Sequence, residues 1–421
     1  MTDPITLKVA EAVADLLADP ATDLPGPNGA PSRQHLAYGP TGLALLHIER
    51  AAAGLGPWYR AHDWLDAAVQ SPFTSGSDSH PFYGAPALAH AMACAADHAT
   101  GAYQRTLSLI DSQLAMDVRR RLDVAHRRID AGSPPHLAEF DTIRGLTGYG
   151  AYFLRRNPAG AEMRAILDYC VRLTRPITHN GEMLPGWWTT TGPSGRADSR
   201  FPDGHGNAGM AHGIGGVLAL LALAARRGTT VDDHHEALRT ILAWLDRWKE
   251  ETNRGPIWPY WITRDELRTG HLDPSGPRRP SWCYGTAGLA RSQQLAALAL
   301  GDTSRQVEAE NALVAALTDP AQLKATTDNG LCHGFAGLAH IAARTAEDAH
   351  PSTAGLLRAA PPALLTLLCP PSANPDDAAT AIVNEAARGF LNGAAGIALA
   401  LLVPATSAPP RTSWDACLLI A

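Results

Sequence analysis

The chain has no block of Lys or Arg and carries a formal net charge of −6 over 421 residues. That balance argues against nucleic acid or an anionic membrane surface as its principal partner, and a peptide or small molecule fits better. Long apolar runs are missing too. The most apolar one, Val217 to Ala225, is too short to cross a bilayer and stops at Arg226 and Arg227. The opening MTDPITLKVAEAVADLLADP mixes acidic with apolar residues and lacks the basic start and unbroken apolar core of a signal peptide, so a cytoplasmic protein is expected. Six cysteines are too few for a disulfide framework, and in a reducing compartment they stay as thiols, which leaves metal binding open. Cys94, Cys170, Cys369 and Cys417 sit among apolar residues and read as small core side chains. Aromatic residues make up only 6% and charged residues 18%, against 45% hydrophobic, a composition that with abundant Ala suits closely packed helices.

Sustained alternation of polar and apolar residues is also lacking, so strands should be few. Helical periodicity is present instead. Residues 234–251 place Leu238, Ile241, Leu242, Leu245 and Trp248 at three- and four-residue steps with charge opposite, as in an outer amphipathic helix, whereas 216–225 and 397–403 are apolar all round, as in inner helices. A Gly-x-x-Gly or near copy opens such a stretch seven times, at Gly39, Gly84, Gly145, Gly213, Gly285, Gly334 and Gly393, with spacings of 45, 61, 68, 72, 49 and 59 residues. The second copy departs from the pattern, reading GAPA. Helix pairs repeated in this way predict an all-α fold, an α/α toroid of about seven inner and seven outer helices in a single domain over 1–421, with the repeat array at about 36–403. The Gly pairs are expected to permit the turn into each inner helix and the approach of its neighbours. Turn-rich segments at 20–34, 176–210, 252–282 and 370–377 and a Pro-rich stretch at 404–411 interrupt the array. The two long ones, at 176–210 and 252–282, precede His212 and Cys283 and either line a cleft or pack as surface loops.

Offsets within the repeat bring chemistry together. Cys283 and Cys332 each lie two residues before their repeat glycine, and His333 follows Cys332 directly. Two thiols and an imidazole at the mouths of adjacent inner helices suit Zn²⁺ and leave its fourth position open, the mark of a catalytic site. The alternative is a pair of unrelated cysteines beside a polar histidine. His205 and His271 lie in loops without a repeat counterpart and read as solvated.

In combination and order, FDTIRGLTGYG at 140–150, NAGMAHGIGG at 207–216, RPSWCYGTAG at 279–288, CHGFAG at 332–337 and FLNGAAG at 390–396 resemble the lanthionine synthetase C-like family, the thioether cyclases of class I lanthipeptide biosynthesis. The resemblance runs through nearly the whole chain. It implies an α/α toroid holding one Zn²⁺ through Cys283, Cys332 and His333, and an enzyme that adds a peptide cysteine to dehydroalanine or dehydrobutyrine. It further implies His212, Asp141 and Arg279 as active-site residues: His212 as an acid near neutral pH, Asp141 to orient or charge it, and Arg279 to steady the enolate oxygen, unless Arg278 takes that part. Each has a plainer alternative, His212 as a helix-entry residue and Asp141 as a helix cap. Tyr284 and Trp282 match the family's aromatic run and either shape the substrate cavity or are packed.

The resemblance brings partners with it: a dehydrated precursor peptide recognised through its leader, a separate dehydratase, since no dehydratase or kinase portion is present, and room for a peripheral place at a membrane-bound export complex. Two other readings keep the toroid. One is a zinc enzyme alkylating another thiol, prenyltransferase-like or glutathione-adding; the other is a non-catalytic peptide-binding toroid with structural metal. A glycoside hydrolase would need two opposed carboxylates, and Asp141 has no obvious partner.

Overall fold

The computed structural model describes residues 4–20, 34–70, 74–99, 101–273, 278–406 and 409–421. The turn-rich segment 20–34 therefore lies almost wholly outside the described residues, and of 404–411 only the ends are described. Every repeat glycine stands at the entrance of a helix. Pro40–Ala52, Ala85–Ala96, Leu146–Arg156, Ile214–Arg226, Thr286–Leu300 and Phe335–Glu347 have Gly39, Gly84, Gly145, Gly213, Gly285 and Gly334 as their N-cap residues, and Ala394–Thr406 begins directly after Gly393. These are the inner helices, buried on nearly all sides; the stretches 216–225 and 397–403 are apolar all round as such burial requires, whereas Pro40–Ala52 and Thr286–Leu300 also bury polar residues such as Glu49, Arg50, Arg291 and Gln294.

The glycines act differently from the expectation. Only Gly84 and Gly285 use the left-handed region, with φ of 75° and 123°. The second glycine of the motif makes room for the loop of its own copy and not for a neighbouring helix. A Cβ on Gly42, Gly288 or Gly396 would come within 1.9, 2.3 or 1.8 Å of the carbonyl oxygen of Leu36, Trp282 or Phe390, in each case the residue three before the repeat glycine. The mouth loop thus folds back over the first turn of the helix it precedes.

Two compact units emerge, each discontinuous in sequence. The first comprises Met1–Leu114, Thr326–Asp348 and Ala354–Asp415, the second Ala115–Ala325, Ala349–Thr353 and Ala416–Ala421. In the first unit the inner helices 335–347, 394–406, 40–52 and 85–96 are neighbours in that order. Trp58–Val69 packs outside the helix 40–52, and the last copy takes its outer partner from Pro4–Leu16, a helix that precedes the array predicted from the repeat. In the second unit the inner helices 146–156, 214–226 and 286–300 adjoin one another, backed by Ala161–Leu173, His234–Arg247 and Thr303–Thr318 respectively. The helix beginning at His234 stops at Arg247 and not at 251, because Glu250–Thr252 pairs with Gly255–Ile257 as an antiparallel hairpin.

Strands are few and short, as expected. The long insertions contribute a three-stranded antiparallel sheet whose central strand, His205–Asn207, lies between Trp188–Thr189 and Trp261–Thr263. The mouth loops hold on to one another through backbone atoms. In the first unit Leu36 N donates to Phe82 O at 2.9 Å, Leu391 N to Ala37 O at 3.2 Å and Cys332 N to Leu391 O at 2.9 Å; in the second, Met210 N donates to Cys283 O and Thr142 N to Ala211 O, both at 3.0 Å. Each acceptor is the residue two before its repeat glycine. Cys94, Cys170, Cys369 and Cys417 are buried thiols, and burial pushes that of Cys170 up to about 12.

Candidate metal centre

Local structure presents the three donors. Cys332 and His333 lie in a tight loop in which Gly334 N donates to Gly330 O at 3.1 Å and Phe335 N to Asp328 O at 3.2 Å. Cys283 is held from behind by Trp282, whose indole is 1% exposed and donates to Leu418 O at 2.9 Å. Trp282 is therefore the packed member of the aromatic pair. The sulfur atoms of Cys283 and Cys332 and a ring nitrogen of His333 all lie within 4.8 Å of one another.

The donor set fits a zinc ion. Two thiols and one imidazole are borderline-soft ligands that together leave a tetrahedral position open. The imidazole is also set for it. His333 Nε2 is 3.0 Å from Asp328 Oδ2, and the other carboxylate oxygen accepts Gly330 N at 3.0 Å. With its Nε2 proton given to Asp328, the ring keeps a lone pair on Nδ1, and that atom is buried without a hydrogen-bond partner among the described residues. A histidine with one unpaired basic nitrogen, its ring beside two thiols, suits a metal ligand.

Asp141 binds in two directions. Its Oδ1 accepts Arg144 N at 2.6 Å and Gly145 N at 2.9 Å in the loop that leads into the third inner helix, while Oδ2 stands 2.6 Å from His212 Nδ1. The carboxylate is 1% exposed and the imidazole 31%. Thus Nδ1 carries the proton shared with Asp141, and Nε2 faces away from it. The bond from Thr142 N to Ala211 O at 3.0 Å ties the two loops side by side.

Tyr284 is half-buried, with its ring 6.4 Å from that of His212. Behind it lies a relay that inspection of the repeat does not reveal. His205, expected to be solvated, is instead fully buried in the central strand, where it donates from Nδ1 to Thr191 O at 2.9 Å; burial lowers its pKa to about 4, so the ring is neutral. Its Nε2 then accepts from Asn207 Nδ2 at 3.2 Å, and the same amide donates to the Tyr284 hydroxyl at 3.1 Å while Asn207 Oδ1 accepts Gly209 N at 3.0 Å. The tyrosine oxygen is thereby an acceptor on this side, and its own proton points elsewhere. The only signal in the sequence is that Asn207 opens the motif NAGMAHGIGG. His271 is exposed, as expected.

Arg278 is engaged by Glu250, whereas the Nε of Arg279 is buried without a hydrogen-bond partner among the described residues. The Arg279 carbonyl accepts the Tyr260 hydroxyl at 3.0 Å. Of the two arginines, Arg279 is the one not committed to a carboxylate in this way.

Comparison with known proteins agrees with this chemistry. A family model described as lanthionine synthetase C-like protein matches residues 30–419. The nisin biosynthesis protein NisC of Lactococcus lactis subsp. lactis is 26% identical over 244 residues, an alignment spanning 57% of this chain and 56% of that protein. A solved nisin cyclase matches with a TM-score of 0.78 at 20% identity, covering 98% of this chain and 96% of that one, and the fold is accordingly the α/α toroid that the repeat predicts. No helix among the described residues is long and apolar enough to cross a membrane. Since that family model matches nearly the whole chain, the chain belongs to the lanthionine synthetase C-like family.

Proposed function

We propose that the protein is a zinc-dependent lanthipeptide cyclase: it adds a cysteine thiol of a dehydrated precursor peptide to a dehydroalanine or dehydrobutyrine, forming a thioether ring. The observation that carries the reading is the convergence of Cys283, Cys332 and His333 in a chain of this family. Zinc held by these three residues would lower the pKa of a substrate thiol, which as a free cysteine at about 8.5 is mostly protonated at neutral pH.

The reaction forms one S–Cβ bond and opens one C=C bond; the thiol loses its proton and the α-carbon gains one, with no net redox change. His212 is the group that moves the proton, at Nε2. Asp141 holds its Nδ1–H, fixes the tautomer and stabilises the imidazolium form. Negative charge collects on the carbonyl oxygen of the dehydro residue as the thiol adds, and Arg279 and the Tyr284 hydroxyl are the donors that answer it. His205 and Asn207 orient Tyr284, and Asp328 orients His333. Trp282 acts from behind, anchoring the loop of Cys283.

The whole of 1–421 works as one cyclase domain, in the cytoplasm or at the periphery of a membrane-associated complex, with a separate dehydratase supplying its substrate. Two thiols in the donor set disfavour a prenyltransferase-like enzyme, which uses Asp, Cys and His. The His212–Asp141 pair has no purpose in a purely structural metal protein. Incubating the purified protein with a dehydrated Cys-containing precursor and counting free thiols by alkylation and mass spectrometry tests the proposal. Thiol loss no faster than the spontaneous rate rules it out.

A further inference from the structure

The residue immediately before each repeat glycine is partly or fully exposed in all seven copies, although the glycine after it is buried every time. Three of these residues are His212, Tyr284 and His333, already placed at the candidate site. The other four are Tyr38, Tyr83, Arg144 and Asn392, and none of the seven is aliphatic. A position that is solvent-accessible and polar in every copy, on a scaffold whose neighbouring residues are buried, is a surface kept for contact and not for packing.

In the first unit the arrangement is continuous. The backbone bonds from Leu36 to Phe82, from Leu391 to Ala37 and from Cys332 to Leu391 join the loops of Tyr83, Tyr38, Asn392 and His333 in that order. Tyr38 and Tyr83 are not isolated: His35 lies 4.2 Å from the Tyr38 ring and 5.9 Å from that of Tyr83, and His80 is 5.8 Å from Tyr83. The Tyr83 hydroxyl accepts from Thr74 Oγ1 at 3.4 Å, and His35 Nδ1 accepts Ala37 N at 3.0 Å, so the rings are held by their own loops. Rigid, half-buried tyrosines offer large amphipathic contact area at little entropic cost, and an exposed amide can pair with a peptide backbone in either direction.

We infer that Tyr38, Tyr83 and Asn392 form a peptide-binding track leading to His333, occupied by the stretch of precursor peptide that flanks the reacting cysteine. The inference rests on the proposed cyclase function for the identity of the peptide, but its test does not require turnover. Fluorescence anisotropy with a labelled, undehydrated precursor peptide measures Kd for the full-length zinc-loaded protein and for Tyr38→Ala, Tyr83→Ala, Asn392→Ala and the triple variant. Each tyrosine variant is expected to weaken binding by roughly tenfold, with Asn392→Ala weaker by a few-fold. Zinc content and melting temperature are read beside each, and Tyr38→Phe and Tyr83→Phe, which keep the ring, serve if an alanine variant does not fold; they are expected to weaken binding about twofold to fivefold. A triple variant, or a phenylalanine pair in its place, that binds as the wild type does overturns the inference, and so does a wild type that binds no peptide. If the wild type binds but never cyclises, the catalytic reading fails while the binding comparison still decides the track.

Discussion

Lowering the pH from 7 to 5 should destabilise this protein through His205 in a way that can be isolated. The ring is fully buried, and its pKa falls from 6.5 to about 4 because burial opposes the charged form more than the Thr191 carbonyl favours it. The unfolded chain therefore binds a proton that the folded one refuses. Stability is present in full above pH 6.5, is lost as the pH falls from there to about 4, and changes no further below that. Between pH 7 and pH 5 the loss from this one group is about 2 kcal/mol. Urea denaturation at the two pH values, on the wild type and on His205→Gln, gives the magnitude as a difference of differences, which cancels every other titrating group. The wild type should lose about 2 kcal/mol more than the variant. Equal losses in the two proteins would refute the assignment of His205 as a buried neutral ring. Activity carries a second signature, because a protonated Nε2 turns from acceptor to donor against the Asn207 amide and releases the hold on Tyr284.

Other outcomes follow from the same geometry. Elemental analysis should find roughly one zinc per chain in the wild type and little or none in Cys283→Ala. Retention of full zinc would remove Cys283 from the ligand set. His212→Ala should keep its zinc yet cyclise about a hundredfold to ten-thousandfold more slowly in single-turnover assays. Asp328→Ala should weaken zinc binding about tenfold to a hundredfold in chelator competition, whereas Asp328→Asn, which still offers an oxygen to Nε2–H, should lose much less. Equal loss in the two variants would mean that charge, and not orientation, is what Asp328 supplies.

The sequence made the scaffold legible because its signal is local. A glycine at a helix entrance must be a glycine if a Cβ there would strike the folded-back loop, and the seven inner helices begin where the repeat predicts. Likewise the thiols and His333 share a register that the eye can follow. Asp141 and His212 are 71 residues apart and in different copies, and it was the family motifs that singled out the two together. What remained illegible depends on long-range packing. Nothing in PITLKVAEAVADL announces that Pro4–Leu16 backs the last inner helix, and no periodicity distinguishes the buried His205 from the exposed His271. The difference between them is a three-residue strand in an insertion, and the partners that bury it lie on strands far along the chain. Asp328 escaped notice for the opposite reason: it is five residues from His333, but an acidic residue near a loop is too common to mark itself.

The backbone bonds between mouth loops have a consequence for how this surface can change. Since the loops within each unit adhere through backbone carbonyl and amide groups, side chains of separate copies that do not touch, unlike His212 with Asp141 or Tyr284 with Asn207, owe little of their placement to one another. Changes at such non-touching positions should then be nearly additive in stability, with departures of only about 0.5 kcal/mol. A scaffold of this construction can have its contact chemistry rewritten copy by copy, acquiring a new binding preference without first finding a new way to fold.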